Sequence, residues 1–172
     1  MAFVVLLKGV NIGGHRIFRP RTLVQELKNL NIVSIGATGT FVVRGAVTRA
    51  KIRAEIARRL PFKTEIIIIG AREVLSFMES NPFTNRKVPP GMVCFVSVTA
   101  RRRKPLLQFP YNLPPSGRWS VQLLSCQGRF VTGMYRREMK SIRYFGQLER
   151  IIGAPITTRN WNTFLSIGQK LR

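Results

Sequence analysis

The sequence predicts an α+β protein built as two small subdomains, residues 1–80 and 81–172, and three observations carry that expectation. Short continuous apolar runs alternate with amphipathic stretches of helical period. A proline-rich stretch at 80–91, with Pro82, Pro89 and Pro90, divides the chain near its middle. The strand and helix signals of the first half then recur, in weaker form, in the second.

Phe3 to Leu7 is an apolar run closed by Gly9, which reads as a buried strand. Gly13 and Gly14 make a loop. Pro20 suits the first turn of a helix, where its missing N–H would have found no partner anyway. Leu23, Val24, Leu27 and Leu30 fall on one face of that helix. Residues 32–36 and 40–45 read as strands around Ala37-Thr38-Gly39. Thr48 is placed to cap the next helix, which buries Ile52, Ile56 and Leu60 and ends at Pro61. Glu65 to Ile69 is a further strand. The order β-α-β-β-α-β is the ferredoxin-like arrangement, two helices on one face of a four-stranded antiparallel sheet.

A helix over 71–79 follows. Val93 to Thr99 is the next strand. Four prolines, at 105, 110, 114 and 115, crowd 100–118, so a truncated helix or an irregular loop is expected where a first helix would repeat. Trp119 to Ser125 and Arg129 to Tyr135 form a hairpin through Cys126-Gln127-Gly128. Ile142, Phe145, Leu148 and Ile152 define a helix stopped by Gly153. A short strand near Ile156 precedes a final helix from about Asn160. The second half is thus read as a degraded ferredoxin-like subdomain with an extra C-terminal helix.

Composition sets the functional question. The 172 residues carry 29 Lys+Arg against 7 acidic residues, a net +22. Every acid is a glutamate, and arginine outnumbers lysine 21 to 8. The planar guanidinium fork matches phosphate and carboxylate geometry, so this bias favours anion contact. Residues 1–80 are net +8 and 81–172 net +14, so a polyanion site is expected in the second half. Seven scattered glutamates disfavour paired-carboxylate catalysis and oxygen-rich metal sites. A single histidine, His15, excludes multi-histidine metal sites and leaves only Cys94 or Cys126 as a partner for a Cys–His nucleophile. The thiols, without a CxxC pair, read as reduced. No catalytic residue, metal or cofactor is expected. The apolar N-terminal run is too short for a leader or a membrane span, so a cytoplasmic location and no membrane partner are expected.

Three groups of residues are candidates for binding. Gly9-Val-Asn-Ile-Gly-Gly14, with Asn11, Gly13 and Gly14, reads first as a tight turn whose Asn11 bonds local backbone, and second as a loop that wraps backbone N–H groups round an anion, with Arg16, Arg19 and Arg21 nearby. Thr158-Arg-Asn-Trp-Asn-Thr163 offers Arg159, Asn160 and Asn162 as a polar cluster, or a helix cap with Trp161 packed beneath it. The third group is basic: Arg49 and Arg53 on a helix, Arg101, Arg102 and Arg103 in the irregular segment, and Arg136, Arg137 and Arg143 near a helix start. Aromatic residues nearby would suit single-stranded nucleic acid. Phe3 and Phe41 lie on strands, where RNA-recognition domains stack bases, or else in the core.

Leu6-Leu-Lys-Gly-Val-Asn-Ile-Gly-Gly14 and Ile156-Thr-Thr-Arg-Asn-Trp-Asn-Thr163 resemble the signatures of the bacterial family catalogued as domain of unknown function 1697, roughly L-R-G-I-N-V-G-G and A-T-T-R-N-W-N-T. The resemblance implies a two-subdomain ferredoxin-like fold and no agreed reaction. Ala37 and Thr40 stand where the family carries polar Gln and Asn, and the high charge is not a family trait. Three functions stay open: a non-catalytic protein binding RNA, single-stranded DNA or another polyanion; a binder or enzyme for a small phosphorylated or carboxylated ligand in a cleft between the subdomains; and a scaffold or partner-binding module.

Overall fold

The computed structural model describes residues 1–10, 14 and 17–172. It is a mixed α+β structure with two antiparallel sheets. The chain divides into two compact units: Met1–Glu79 with Thr163–Arg172, and Ser80–Asn162. The last helix is therefore shared by chain position, its first two residues grouping with unit 2 and the rest with unit 1.

In unit 1 the sheet runs β2 (Ile32–Ile35), β3 (Thr40–Val43), β1 (Phe3–Leu7), β4 (Ile66–Gly70). All neighbours are antiparallel, with Val5 opposite both Phe41 and Ile68. Every residue of β1 is buried, which is why it reads as an unbroken apolar run rather than an alternating one. On one face Phe3, Val5, Leu7, Phe41 and Ile68 pack with Leu23 and Leu27 from and beside α1 (Pro20–Glu26) and with Ile52 and Ile56 of α2 (Arg49–Arg59). Burying each such aliphatic side chain contributes about 1.5–3 kcal/mol relative to exposure. Thr48 caps α2 as its sequence position implies, accepting from Lys51 N at 3.2 Å. Gly39 has φ +76, and an added Cβ would meet Val10 Cγ2 at 2.7 Å and Leu7 Cβ at 2.8 Å, so the turn before β3 requires glycine twice over. The helices α3 (Ala71–Glu79) and α6 (Trp161–Leu171) meet through Phe77 and Phe164, whose rings stand edge to face at 6.0 Å. Gly168 lies under Met78.

In unit 2 the sheet order is β6 (Tyr111–Leu113), β7 (Val121–Gln127), β8 (Phe130–Arg136), β5 (Met92–Thr99), β9 (Ile156–Asn160), all antiparallel. Setting β6 aside, its strands follow the same sequence of neighbours as those of unit 1. The segment 100–118 forms no helix. It is irregular, and its one regular element is the edge strand β6, which the sequence reading did not anticipate. One face carries Phe95, Val121, Leu123, Val131 and Ile156, covered by Leu148 and Ile152 of α5 (Leu148–Ile152), by Tyr144 and Phe145 of α4 (Met139–Phe145), and by Leu107 and Phe109. The other face carries Met92, Leu124 and Met134 with Phe83 and Trp119. Gly133 lies against the first of these faces: an added Cβ would lie 2.5 Å from both the Phe95 ring and the Gln122 carbonyl. Gly153 ends α5 at φ 78, as its position after the last apolar residue implies.

Among the described residues no helix is long and apolar enough to cross a membrane.

Candidate functional site

The three candidate groups fare differently. Asn11 and Gly13, with His15 and Arg16, lie outside the described residues. Gly14 is exposed at φ +75 with open space around it. Phe3 and Phe41 are core residues, 5% and 0% exposed, so neither is a stacking platform.

Arg159 is 7% exposed and donates to Thr157 Oγ1 at 2.6 Å and to the Thr158 carbonyl at 2.9 Å. Alternation along β9 explains why: Thr157 and Arg159 share one face, while Ile156, Thr158 and Asn160 share the other. Burial pushes the guanidinium pKa down to about 10, still far above neutrality, so the group stays charged. It is therefore a buried structural cation rather than a surface ligand contact. Thr158 does not act as a helix cap with its side chain; its hydroxyl meets Ser97 Oγ across the ladder at 2.7 Å.

Asn160 and Asn162 do come together, with a residue from the basic group. Met92, Val93, Cys94, Arg137, Asn160, Trp161 and Asn162 line a cavity of about 250 Å³, all within unit 2. Strand pairing creates it. β9 pairs β5 only as far as Asn160 opposite Phe95, then turns into α6. Met92, Val93 and Cys94 run on past that last pair, held on their other side by Arg136, Tyr135 and Met134 of β8. The ladder phase is fixed by Thr99 N donating to Arg129 O on the β8 side and Ala100 N donating to Pro155 O on the β9 side. Alternation then directs the N–H and C=O of Cys94 towards the cavity edge.

Two contacts orient the walls. Tyr135 donates its hydroxyl to Asn160 Oδ1 at 3.2 Å, and Tyr135 is itself clasped between Phe95 and Phe145 at 5.9 and 5.1 Å. Phe83 stands edge to face against Trp161 at 5.1 Å. So Trp161 packs on the linker that precedes β5, a partner its position at a helix start does not reveal. Arg137 is exposed, its backbone N–H bonded to Gly91 O at 3.3 Å, and its guanidinium makes no hydrogen bond or ion pair among the described residues. The lining holds no carboxylate. Burial raises the pKa of the Cys94 thiol, with Arg86 pulling weakly the other way, so the thiol is protonated near neutrality and a poor nucleophile. Burial likewise raises that of Cys126, whose Sγ lies 3.6 Å from Arg103 O. Among the described residues no three His, Cys or Glu side chains cluster as metal ligands.

The remaining basic candidates separate by unit. In unit 1, Arg53 donates to Ile66 O at 2.6 Å, and Arg49 lies over the Phe3 ring at 5.6 Å. In unit 2, Arg136 is engaged, donating to Trp119 O at 2.8 Å with its guanidinium 4.8 Å above the Trp119 ring. Arg101, Arg102, Arg103 and Arg143 are exposed. The residues that sequence reasoning missed are Met92, Val93, Cys94 and the orienting Tyr135. Only the long-range pairing of β5 with β9 and β8 brings them to Asn160.

No curated protein matches this chain. Among solved structures, the chain is similar in fold to the conserved bacterial protein SP0830 from Streptococcus pneumoniae, with a TM-score of 0.64 and 19% identity over 99% of this chain and 98% of that one. At that identity the likeness speaks to fold alone. The family described as "Protein of unknown function (DUF1697)" matches residues 1–108, a span that holds the glycine loop and β5 but not the Thr157–Asn162 segment. With more than half of its length matched, the chain belongs to the DUF1697 family.

Proposed function

We propose that the protein binds a polyanion without catalysing a reaction, with single-stranded nucleic acid as the partner class and the outer arginines of unit 2 as the contact surface. One observation carries this reading. Unit 2 holds 14 basic and 2 acidic residues, so two carboxylates face a surplus of +12 that no internal pairing can neutralise. Both carboxylates are already engaged: Glu138 with Ser120 and Arg118, Glu149 with the backbone N–H of Ile156. Phosphates spaced along a flexible strand would relieve that self-repulsion, and the arginine fork suits them better than a lysine point charge. Both sheets are read as ferredoxin-like frames. The support is the order β2-β3-β1-β4 in unit 1 and β7-β8-β5-β9 in unit 2, where segment 100–118 and β6 replace the first helix.

The test is a fluorescence-anisotropy titration of a labelled single-stranded RNA or DNA across a range of salt concentrations. Four phosphate contacts predict a log–log slope of about −3, at roughly −0.7 per contact on a single strand. A slope near zero would sink the proposal.

A further inference from the structure

A cavity of about 250 Å³ lies where β5 runs on past the end of β9, lined within unit 2 by one arginine, two carboxamides and an indole. Resting on the nucleic-acid reading above, we propose that it takes one nucleotide bearing a phosphate monoester, whether a strand end or a free nucleotide, with the monoester on Arg137 and the base against Trp161, and with the carboxamides of Asn160 and Asn162 in the polar wall.

Size sets the first limit. At about 250 Å³ the space lies just under the roughly 300–1,000 Å³ of sites that enclose drug-sized ligands, so it suits one nucleotide-sized group and not a run of bases. Charge sets the second. The lining carries one guanidinium and no carboxylate, so it favours an anionic group. The Arg137 guanidinium makes no hydrogen bond or ion pair among the described residues, and its fork is therefore not spent on the protein's own carbonyls as that of Arg136 is. Shape sets the third. Trp161 is braced by Phe83 at 5.1 Å, and a fixed indole bordering a cavity is a surface on which a planar base stacks with little loss of side-chain entropy. Tyr135 holds the Asn160 carboxamide by its oxygen, which leaves the NH2 end as the donor for a ligand. No bond is made or broken in this proposal.

Calorimetric titration of the whole chain with 5′-AMP tests it, with adenosine and inorganic phosphate as half-ligands. Saturable 5′-AMP binding is expected, at least about tenfold tighter than either half-ligand. Arg137→Gln is expected to weaken it about tenfold and Asn160→Ala severalfold, while Arg58→Gln, in unit 1 and paired with Glu55, leaves it unchanged. Circular dichroism checks that each variant is folded. No saturable 5′-AMP binding to the unsubstituted chain, or binding that Arg137→Gln and Asn160→Ala both leave intact, overturns the proposal.

A parallel pair of oligonucleotides, one 5′-phosphorylated and one 5′-hydroxyl, separates the two sources of the same chemistry. A preference of about tenfold for the phosphorylated strand assigns the cavity to a strand end. Equal strand affinities, with 5′-AMP still bound through Arg137, assign it to a free nucleotide, and either result supports the site. Failure here is distinct from failure of the polyanion reading. If the cavity proposal alone is wrong, the 5′-hydroxyl strand still binds with its steep salt slope.

Discussion

Unit 1 and unit 2 carry nearly equal charge, net +10 and +12, once most of α6 is grouped by contact rather than by chain order. They differ in where the arginines end. In unit 1 the arginines of α2 terminate on the protein: Arg53 on the Ile66 carbonyl, Arg58 and Arg59 on Glu55 at 3.1 and 2.5 Å, and Arg49 over Phe3. Arg44 donates to the Lys170 carbonyl. In unit 2, Arg101, Arg103, Arg137 and Arg143 make no side-chain hydrogen bond or ion pair among the described residues. Net charge therefore misleads as a guide to an anion surface. The relevant quantity is the charge left over after the fold has used what it needs: among the described residues Arg19, Arg21, Arg72 and Arg172 of unit 1 make no side-chain hydrogen bond or ion pair, against Arg86, Arg101, Arg103, Arg137, Arg143 and Arg150 of unit 2.

The largest effect that sharpens this contrast lies within unit 2 itself, between Arg159 and Arg137. Arg159→Ala deletes a buried side chain and leaves Thr157 Oγ1 and the Thr158 carbonyl short of a donor. We expect a loss of about 3 kcal/mol in urea denaturation, the sum of a cavity and unmet polar groups. Arg137→Ala, at an exposed position, is expected to change stability by no more than about 0.5 kcal/mol. Equal effects at the two positions would mean that the division into structural and available arginines is wrong.

The second comparison is between units, read through salt. Changing Arg101, Arg103, Arg137 and Arg143 together to Gln is expected to flatten the log–log slope for single-stranded nucleic acid by about 3, at roughly 0.7 per lost phosphate contact. Changing Arg49, Arg53 and Arg58 to Gln is expected to alter the slope by less than about 1, while the loss of the Arg53 hydrogen bond costs about 1 kcal/mol of stability. If the unit 1 set flattens the slope as much as the unit 2 set, the contact surface is not the one proposed.

Much of the frame was legible because its signals are local. The unbroken run of β1, the Ile52–Ile56 stripe, the Thr48 cap and the Gly153 stop each depend on neighbours a few residues away. The prolines of 100–118 forbade a helix, but nothing local announced that Tyr111–Leu113 would find β7 as a partner. The site was half legible for the same reason. Asn160 and Asn162 stand out as residue types in a polar motif. Their neighbours Met92, Val93 and Cys94 arrive through a β5–β9 register set about sixty residues apart in the chain. Arg159 stands out equally, yet its inward direction follows from the parity of β9 against β5, which a motif does not encode. The membership of most of α6 in unit 1 rests on Phe164 meeting Phe77, again a contact at long range.

The smallest effect concerns the acids, and it tests whether the two units hold their carboxylates by the same means. In unit 2 the Ser120 hydroxyl, at 2.6 Å, holds the Glu138 carboxyl below the usual carboxylate range, with Arg118 and Lys140 adding to the pull against partial desolvation. In unit 1 the Arg59 hydrogen bond does most of the same for Glu55, aided by Arg58. Each folded-state pKa lies below its unfolded value, so the stabilisation is fully present above the unfolded value, near 4.3, and is lost as pH falls through the folded one. The urea midpoint is therefore expected to drop with falling pH in that acid window. Glu138→Gln and Glu55→Gln should each remove a part of the slope and leave the plateau above pH ~5 flat. Ser120→Ala should reproduce part of the Glu138→Gln effect, because the hydroxyl is the largest influence there. Arg118→Gln should do less, since its ion pair with Glu138 is solvent-exposed on the arginine side and screened. A pH profile that Ser120→Ala leaves untouched, while Arg118→Gln flattens it, would reverse that order and make unit 2 resemble unit 1, where an arginine leads.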